Sequence, residues 1–191
     1  MWPEGRIWHE MVRLPKPTGG CRLITLMHTL IRWWSRARAG SSKAWLVANP
    51  SADIWGLGAG RSSSDAAFDL NIETEISEAM GEKTLTVLMD AWKFFETIRP
   101  ESLLLEARIM GMPMRLVRLL LELYRQPRRL SAFGSVSYEV TAYQGVLAGC
   151  SHACALVSVL LYRLLDHIRS FGVIPRALVD DVTLYMAAPG A

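Results

Sequence analysis

Apolar residues recur along the chain in short strand-like runs and in longer stretches with helical spacing. Strands are predicted at 7–14, 21–26, 84–89, 129–133, 137–141, 176–179 and 182–186. Helices are predicted at 28–38, 63–80, 101–110, 113–126 and 152–170. Gly, Pro or a capping residue bounds most of these stretches, and the predicted cap of the second helix is Ser62, Ser63 or Ser64, with Asp65 in its first turn. Because helices interleave with antiparallel hairpins, the predicted fold class is α+β.

Acidic residues stand at the ends of the most apolar strands. The run Thr84–Met89 is mainly apolar, with two threonines, and it is taken to predict a strand buried on both faces; Asp90 follows it directly. Asp180 and Asp181 occupy the predicted turn between two further apolar strands. Aspartates are common in turns for conformational reasons alone. Crowded carboxylates beside apolar residues also repel one another, and such hard oxygen ligands suit Mg²⁺.

Composition narrows the class of protein. The chain has 191 residues, of which 51% are apolar and 20% are charged, a balance that excludes a disordered chain. Its apolar runs are too short for a membrane span, so no membrane partner is expected. Three cysteines without a secretory start predict a reducing, intracellular compartment, nuclear or cytoplasmic. Cys150 and Cys154 could share a helical face, but His152 would point elsewhere and no fourth zinc ligand is nearby, so the cysteines are expected to be small buried thiols.

The positive charge is carried mainly by arginine. The net charge is only +3, but 17 of the 21 basic residues are Arg, whose planar donors suit phosphate groups. Two groups stand out, at positions 32, 36 and 38 and at positions 115, 118, 125, 128 and 129. Solvated helix faces and nucleic-acid contacts both remain open for them. The adjacent Trp33 and Trp34 are expected to pack in the protein interior, with base stacking as the alternative.

Five segments, in order, resemble the motifs of one family of polymerases. The first two are 14–24, with Leu-Pro-Lys and Gly-Cys-Arg-Leu-Ile, and 60–66, with Gly-Arg-Ser-Ser and Asp-Ala. The others are 90–98 (Asp-Ala-Trp-Lys-Phe-Phe-Glu-Thr-Ile), 143–151 with Tyr-Gln-Gly, and 176–185 with Val-Asp-Asp-Val-Thr-Leu. Together they resemble reverse transcriptases of the non-long-terminal-repeat retrotransposon type.

The resemblance implies part of a right-hand polymerase. It implies a fingers-like region at 1–83 and a palm-like region at 84–191, with an antiparallel sheet, packed helices and no thumb. The implied activity is RNA-directed DNA synthesis, with an RNA template, a DNA primer and dNTPs as partners. The implied cofactor is two Mg²⁺ ions, for which Mn²⁺ is a possible substitute.

The same resemblance assigns metal-binding roles. Asp90 and Asp180 are expected to bridge both ions, and Asp181 is expected to support the site. The backbone carbonyl of Ala91 is a further expected ligand of the nucleotide-bound ion.

It also assigns nucleotide-binding roles. Lys16 and Arg22 are expected to hold the triphosphate. Phe95 is expected to lie beneath the sugar and leave no room for a 2′-hydroxyl, which favours dNTPs and disfavours an RNA-directed RNA polymerase. Gln144 and Gly145 are expected to let the template and the nucleotide approach the backbone closely.

The chain departs from the family pattern at several positions. Phe94 stands where a small residue is usual, Leu178 and Val179 replace an aromatic-Ala pair, and the sequence ends at Ala191. These departures predict a truncated or degenerate copy. The alternative is a catalytically inactive, nucleic-acid-binding remnant of a retroelement.

Overall fold

Strands and helices alternate along the chain in a mixed α and β arrangement. A computed structural model describes residues 8–17, 19–57 and 61–189. The elements are, in order, β1 (His9–Pro15), β2 (Cys21–Leu26), α1 (Thr29–Ala48), α2 (Ser63–Ala79), β3 (Lys83–Asp90), α3 (Phe94–Thr97), α4 (Pro100–Ile109), α5 (Met114–Tyr124), β4 (Arg128–Ala132), β5 (Ser135–Val136), α6 (Ala153–Arg169), β6 (Ile174–Leu178) and β7 (Asp181–Ala188). The predicted mixture of strands and helices is therefore confirmed.

The chain forms two compact units, and each is assembled from two separate stretches. The first unit comprises 1–45 and 93–157, and the second comprises 46–92 and 158–191. These ranges interleave, so they do not coincide with the ranges 1–83 and 84–191 taken from the sequence. The assignment of fingers and palm stays a prediction.

The first unit contains a four-stranded sheet in the order β2-β1-β4-β5. The predicted hairpin is confirmed, because β1 pairs antiparallel with β2 from Glu10↔Leu26 to Pro15↔Cys21. β1 also pairs in parallel with β4, more than a hundred residues later in the chain. Beside this sheet, α4 and α5 bury residues at helical spacing, including Leu103, Val117 and Leu120, which are fully buried.

Helix α1 extends ten residues beyond its predicted end at residue 38. Its buried residues are Ile31, Ser35, Ser42 and Trp45, and their spacing keeps them on one side of a helix. Gly40 and the serines that follow are weak helix formers, so local propensity underestimates the length of α1. The burial of these four side chains, of which Trp45 is the last, outweighs the low helix propensity of this segment.

The second unit contains a three-stranded sheet in the order β3-β7-β6. Helix α2 begins with a capping box, in which the backbone N–H of Asp65 donates to the Ser62 hydroxyl at 3.2 Å and the Ser62 N–H donates to the Asp65 carboxylate at 2.7 Å. The hydroxyl of Tyr185 in β7 donates to the carbonyl of Glu73 at 3.1 Å. Arg176 of β6 forms an ion pair with the Glu73 carboxylate. These contacts hold α2 on one face of the sheet.

The predicted burial of β3 is wrong. Its side chains are largely exposed, with Leu85 at 56% and Leu88 at 77% of their accessible surface. In the described part of the chain β3 is an edge strand, paired with β7 alone. A mainly apolar run indicates a strand, but the sheet order decides how much of it is covered. None of the helices in that part of the chain combines the length and apolar character needed to cross a membrane.

Candidate functional site

The structure brings two of the predicted carboxylates opposite one another. Asp90 is the last residue of β3 and Asp181 is the first residue of β7, and the two are partners in the antiparallel register. Opposite residues in such a pair point to the same face, with Cα atoms about 4.5–5.5 Å apart. Both side chains are exposed. The pair therefore presents two carboxylates to solvent at one end of the sheet.

The turn that precedes β7 lies one residue earlier than the sequence predicts. Leu178 pairs with Asp181, so the two turn residues are Val179 and Asp180 rather than the two aspartates. Val179 has a φ of +62°, a left-handed conformation that a β-branched residue rarely adopts. Asp180 is half-buried in this turn. As a result, Asp181 and not Asp180 lies directly across from Asp90.

Two like charges lie opposite each other at this end of the sheet. Like charges directly opposite each other destabilise a sheet. Within residues 8–17, 19–57 and 61–189, none of the ion pairs involves Asp90, Asp180 or Asp181. Over the same residues, no group of three or more His, Cys, Asp or Glu side chains could hold a metal ion by itself. Mg²⁺ commonly uses one or two carboxylates, with water and phosphate as its other ligands, so the Asp90 and Asp181 donors fit this ion.

Lys16 and Arg22 lie at the tip of the β1–β2 hairpin in the first unit. The Lys16 N–H donates to the Gly20 carbonyl at 3.1 Å, and the Gly19 N–H donates to the Lys16 carbonyl at 3.1 Å. Arg22 pairs with Leu14 in the hairpin register. Both basic side chains are exposed. The hairpin thus presents two cations close to one turn, an arrangement suited to an anionic ligand.

Phe95 and Gly145, fifty residues apart in sequence, meet in the first unit. The Gly145 N–H donates to the Ile98 carbonyl at 2.8 Å, and the Val146 N–H donates to the Phe95 carbonyl at 2.7 Å. Gly145 is buried, with a φ of +96°. A Cβ at this position would lie 3.0 Å from the carbonyl oxygen of Glu96. The backbone of α3 therefore explains the need for glycine, while the role of Gly145 in template approach stays a prediction.

The remaining predicted residues are placed as follows. Gln144 is exposed, and its carbonyl accepts a hydrogen bond from the Arg128 guanidinium at 3.4 Å. Ala91 is half-buried directly after β3. Phe95 is half-buried, with its ring edge-on to that of Phe94 at 6.3 Å. The second unit thus contains Asp90, Ala91, Asp180 and Asp181, and the first contains Lys16, Arg22, Phe95, Gln144 and Gly145.

Sequence reasoning missed a buried histidine network in the first unit. His152 Nε2 donates to the Ser35 carbonyl at 3.1 Å, and the Ser42 hydroxyl donates to Nδ1 at 2.7 Å. Burial lowers the pKa of His152 below its ordinary value, because charging the ring there costs desolvation. His9 is likewise buried, donates to the Leu123 carbonyl at 3.0 Å and has a lowered pKa, mainly through desolvation. Hydrogen bonds within the first unit hold both histidines in place.

The predicted burial of Trp33 is wrong, and that of Trp34 is confirmed only in part. Trp33 exposes 65% of its surface, and Trp34 is half-buried with its ring 6.3 Å from that of His152. Adjacent residues on a helix point about 100° apart, so one of the two tryptophans faces outward. The direction of α1 relative to its neighbours decides which one.

The fold is similar to that of solved telomerases. Apo telomerase from Candida tropicalis, truncated from the C-terminal domain, is 12% identical and superposes with a TM-score of 0.65 over 94% of this chain and 44% of that one. Telomerase from Candida albicans in complex with a TWJ fragment of telomeric RNA is 13% identical, with a TM-score of 0.66 over 94% and 38%. The corresponding Candida tropicalis complex is 10% identical, with a TM-score of 0.67 over 95% and 36%. The chain therefore spans less than half the length of these telomerases. No protein-family model and no curated protein sequence matches it.

Proposed function

We propose that this chain is the fingers and palm part of a reverse transcriptase of the non-long-terminal-repeat retrotransposon type and that it catalyses RNA-directed DNA synthesis. The observation that carries the proposal is the opposed pair Asp90 and Asp181, with Asp180 in the adjoining turn. The telomerase-like fold supports it, because telomerase is an RNA-templated DNA polymerase. The sequence motifs that surround these aspartates agree with the same activity.

The carboxylates are proposed to hold divalent cations. Asp90 and Asp181 supply oxygen donors from neighbouring strands, and Asp180 and the Ala91 carbonyl complete the proposed ligand set. When bound, two Mg²⁺ ions stabilise the attacking and leaving oxygens of an in-line phosphoryl displacement. The register makes Asp181 the stronger candidate for the ligand shared with Asp90, in place of Asp180. Mn²⁺ has the same preference for oxygen ligands and is a proposed substitute.

The first unit is proposed to recognise the nucleotide and the template. Lys16 and Arg22 are exposed cations that can bind the triphosphate and offset charge as pyrophosphate leaves. Phe95 is proposed to exclude a 2′-hydroxyl. Gln144 and Gly145 are proposed to contact the templating strand and the nucleotide.

Primer extension tests the proposal directly. The chain is incubated with an RNA template, an annealed DNA primer, dNTPs and Mg²⁺, beside Asp90→Asn and Asp181→Asn variants. Asp166→Asn, which removes an exposed carboxylate from α6, is the matched control. We expect extension by the native chain and by the control, and loss of at least about 10²-fold in each site variant. Undiminished extension by Asp90→Asn contradicts the metal site.

Two further measurements resolve the details. Comparison of Asp180→Asn with Asp181→Asn determines which aspartate is needed more, and Phe95→Ala is expected to raise rNTP use relative to dNTP use. Unchanged sugar discrimination would refute the proposed role of Phe95.

The second candidate function is RNA binding without synthesis, which the exposed basic residues of the first unit favour. RNA binding by a native chain that extends no primer identifies that alternative.

A further inference from the structure

A long stretch of the chain, most of it in the first unit, carries positive charge without any acidic residue. Between Glu10 and Asp53 the sequence contains seven Lys and Arg residues and no Asp or Glu. All seven basic side chains are exposed, namely Arg13, Lys16, Arg22, Arg32, Arg36, Arg38 and Lys43. A net charge of +7 over 42 consecutive residues, in a chain whose total is only +3, marks this region for an anionic partner.

Helix α1 adds an exposed aromatic ring to this charge. Trp33 exposes 65% of its surface, a large fraction for an aromatic side chain. Arg36 follows it by three residues, so the two side chains are neighbours on the helix surface. Arg32 and Lys43 lie four residues before and seven residues after Arg36, on the same outer side. The positions beside Trp33 on the C-terminal side are Ala37 and Gly40, and the neighbour three residues before it is Leu30, which is also exposed.

This combination of groups distinguishes nucleic acid from the other anionic partners. A lipid surface requires a broad free apolar face, whereas α1 buries Ile31 and Trp45 and exposes three large apolar side chains, Leu30, Trp33 and Val47, beside its cations. An acidic protein would use the charges but has no specific need for an exposed indole next to an arginine. A single-stranded nucleic acid uses both, because phosphates bind the cations and an unpaired base stacks on the ring.

We propose that the outer face of α1 binds single-stranded nucleic acid, with one base stacked on Trp33 and phosphates bound by Arg32, Arg36 and Lys43. Base stacking on an aromatic side chain tolerates any base, so the surface is expected to bind with little sequence preference. A duplex has no unstacked base to offer, so it is expected to bind mainly through charge. The proposal concerns α1 alone and does not depend on the aspartates of the second unit.

Helix α2 provides a matched control within the same chain. It carries five acidic and no basic residues, whereas α1 carries four basic and no acidic residues. Its Phe68 exposes 63% of its surface, almost the same fraction as Trp33. Phe68→Ala therefore removes an equally exposed aromatic ring from a surface of opposite charge. For arginine, Arg108→Ala on α4 removes an exposed cation outside the stretch that lacks acids.

The experiment measures fluorescence anisotropy of a labelled 15-nucleotide oligouridine RNA with the full chain in EDTA, without nucleotide. Trp33→Ala is expected to weaken binding about 5- to 150-fold, and Trp33→Phe to restore most of the affinity. Arg36→Ala is expected to weaken binding and to reduce the slope of log K against log salt by about 0.7. Phe68→Ala and Arg108→Ala are expected to bind like the native chain. Circular dichroism and thermal melting confirm that each variant is folded.

Several results would overturn the proposal. One is that Trp33→Ala binds RNA as tightly as the native chain, and another is that Phe68→Ala loses as much RNA affinity as Trp33→Ala does. A third is that Trp33→Ala weakens binding to a duplex of the same length as strongly as it weakens binding to the single strand. Binding to phosphatidylserine vesicles that depends on Trp33, without RNA binding, would also overturn it. Because EDTA removes divalent cations, this measurement succeeds or fails independently of primer extension.

Discussion

Replacing Gly145 by alanine tests how the first unit joins α3 to the segment before α6. Gly145 has a φ of +96°, where an L-residue costs roughly 1–2 kcal/mol. The added Cβ would also lie 3.0 Å from the Glu96 carbonyl oxygen, 3.1 Å from its Cα and 3.2 Å from the Phe95 carbonyl oxygen. All three are backbone atoms, so a side-chain rotation cannot relieve the contact, and such overpacking costs about 1–3 kcal/mol. The expected total loss is about 2–5 kcal/mol.

The matched control is Gly111→Ala. Gly111 is in the same unit and has a φ of +65°, but a Cβ there would meet nothing within 4 Å. Its expected loss is therefore the backbone contribution alone, about 1–2 kcal/mol. Urea unfolding of both variants and the native chain measures the free energy of unfolding. Equal destabilisation by the two substitutions would refute the proposed contact between Gly145 and α3.

The same variant separates packing from recognition at Gly145. If glycine is required only because α3 occupies the space, Gly145→Ala loses stability but keeps its affinity for RNA under conditions where it is folded. A loss of RNA affinity in the folded variant would support the template role predicted from the sequence. Comparison with Gly111→Ala corrects for the general effect of a less stable chain.

Three further predictions concern other parts of the molecule. Burial lowers the pKa values of His9 and His152, so the unfolded state binds protons on these residues at a higher pH than the folded state does. The free energy of unfolding is therefore highest above about pH 6.5 and falls below it, by up to about 1.4 kcal/mol per pH unit for each histidine. Urea unfolding of the native chain and of His152→Gln between pH 7.5 and pH 5 measures this dependence. A flat profile would contradict it. Val179 has a left-handed φ of +62°, which glycine adopts without strain, so Val179→Gly is expected to raise the free energy of unfolding by about 1 kcal/mol. Urea unfolding measures this change, and destabilisation would show that the turn has another conformation. Asp90→Asn removes the repulsion from Asp181, so it is expected to raise the melting temperature slightly in EDTA. In Mg²⁺ the native chain is expected to be stabilised, and Asp90→Asn is expected to lose that stabilisation. An equal Mg²⁺ stabilisation of the variant and the native chain would exclude Asp90 as a ligand.

Features that depend on neighbouring residues could be predicted from the sequence alone. The hairpin of β1 and β2 follows from its turn residues, and the start of α2 follows from the three serines 62–64 and Asp65, of which Ser62 is the cap. The aspartates at strand ends also stand out, because acidic residues interrupt strongly apolar runs. In each case the stabilising interaction joins residues only a few positions apart, so the local sequence contains the information.

Features that depend on distant residues were decided by the tertiary structure. The register of β3 with β7 places Asp181 opposite Asp90, and the sheet order leaves β3 exposed at an edge. Gly145 is constrained by a helix fifty residues earlier, and the direction in which Trp33 points depends on what covers the other side of α1. A one-residue change of register or a rotation of α1 would reverse these outcomes without altering local propensity. The sequence by itself therefore determined which residues carry the candidate chemistry, and only long-range pairing and packing determined which of them meet and which remain exposed.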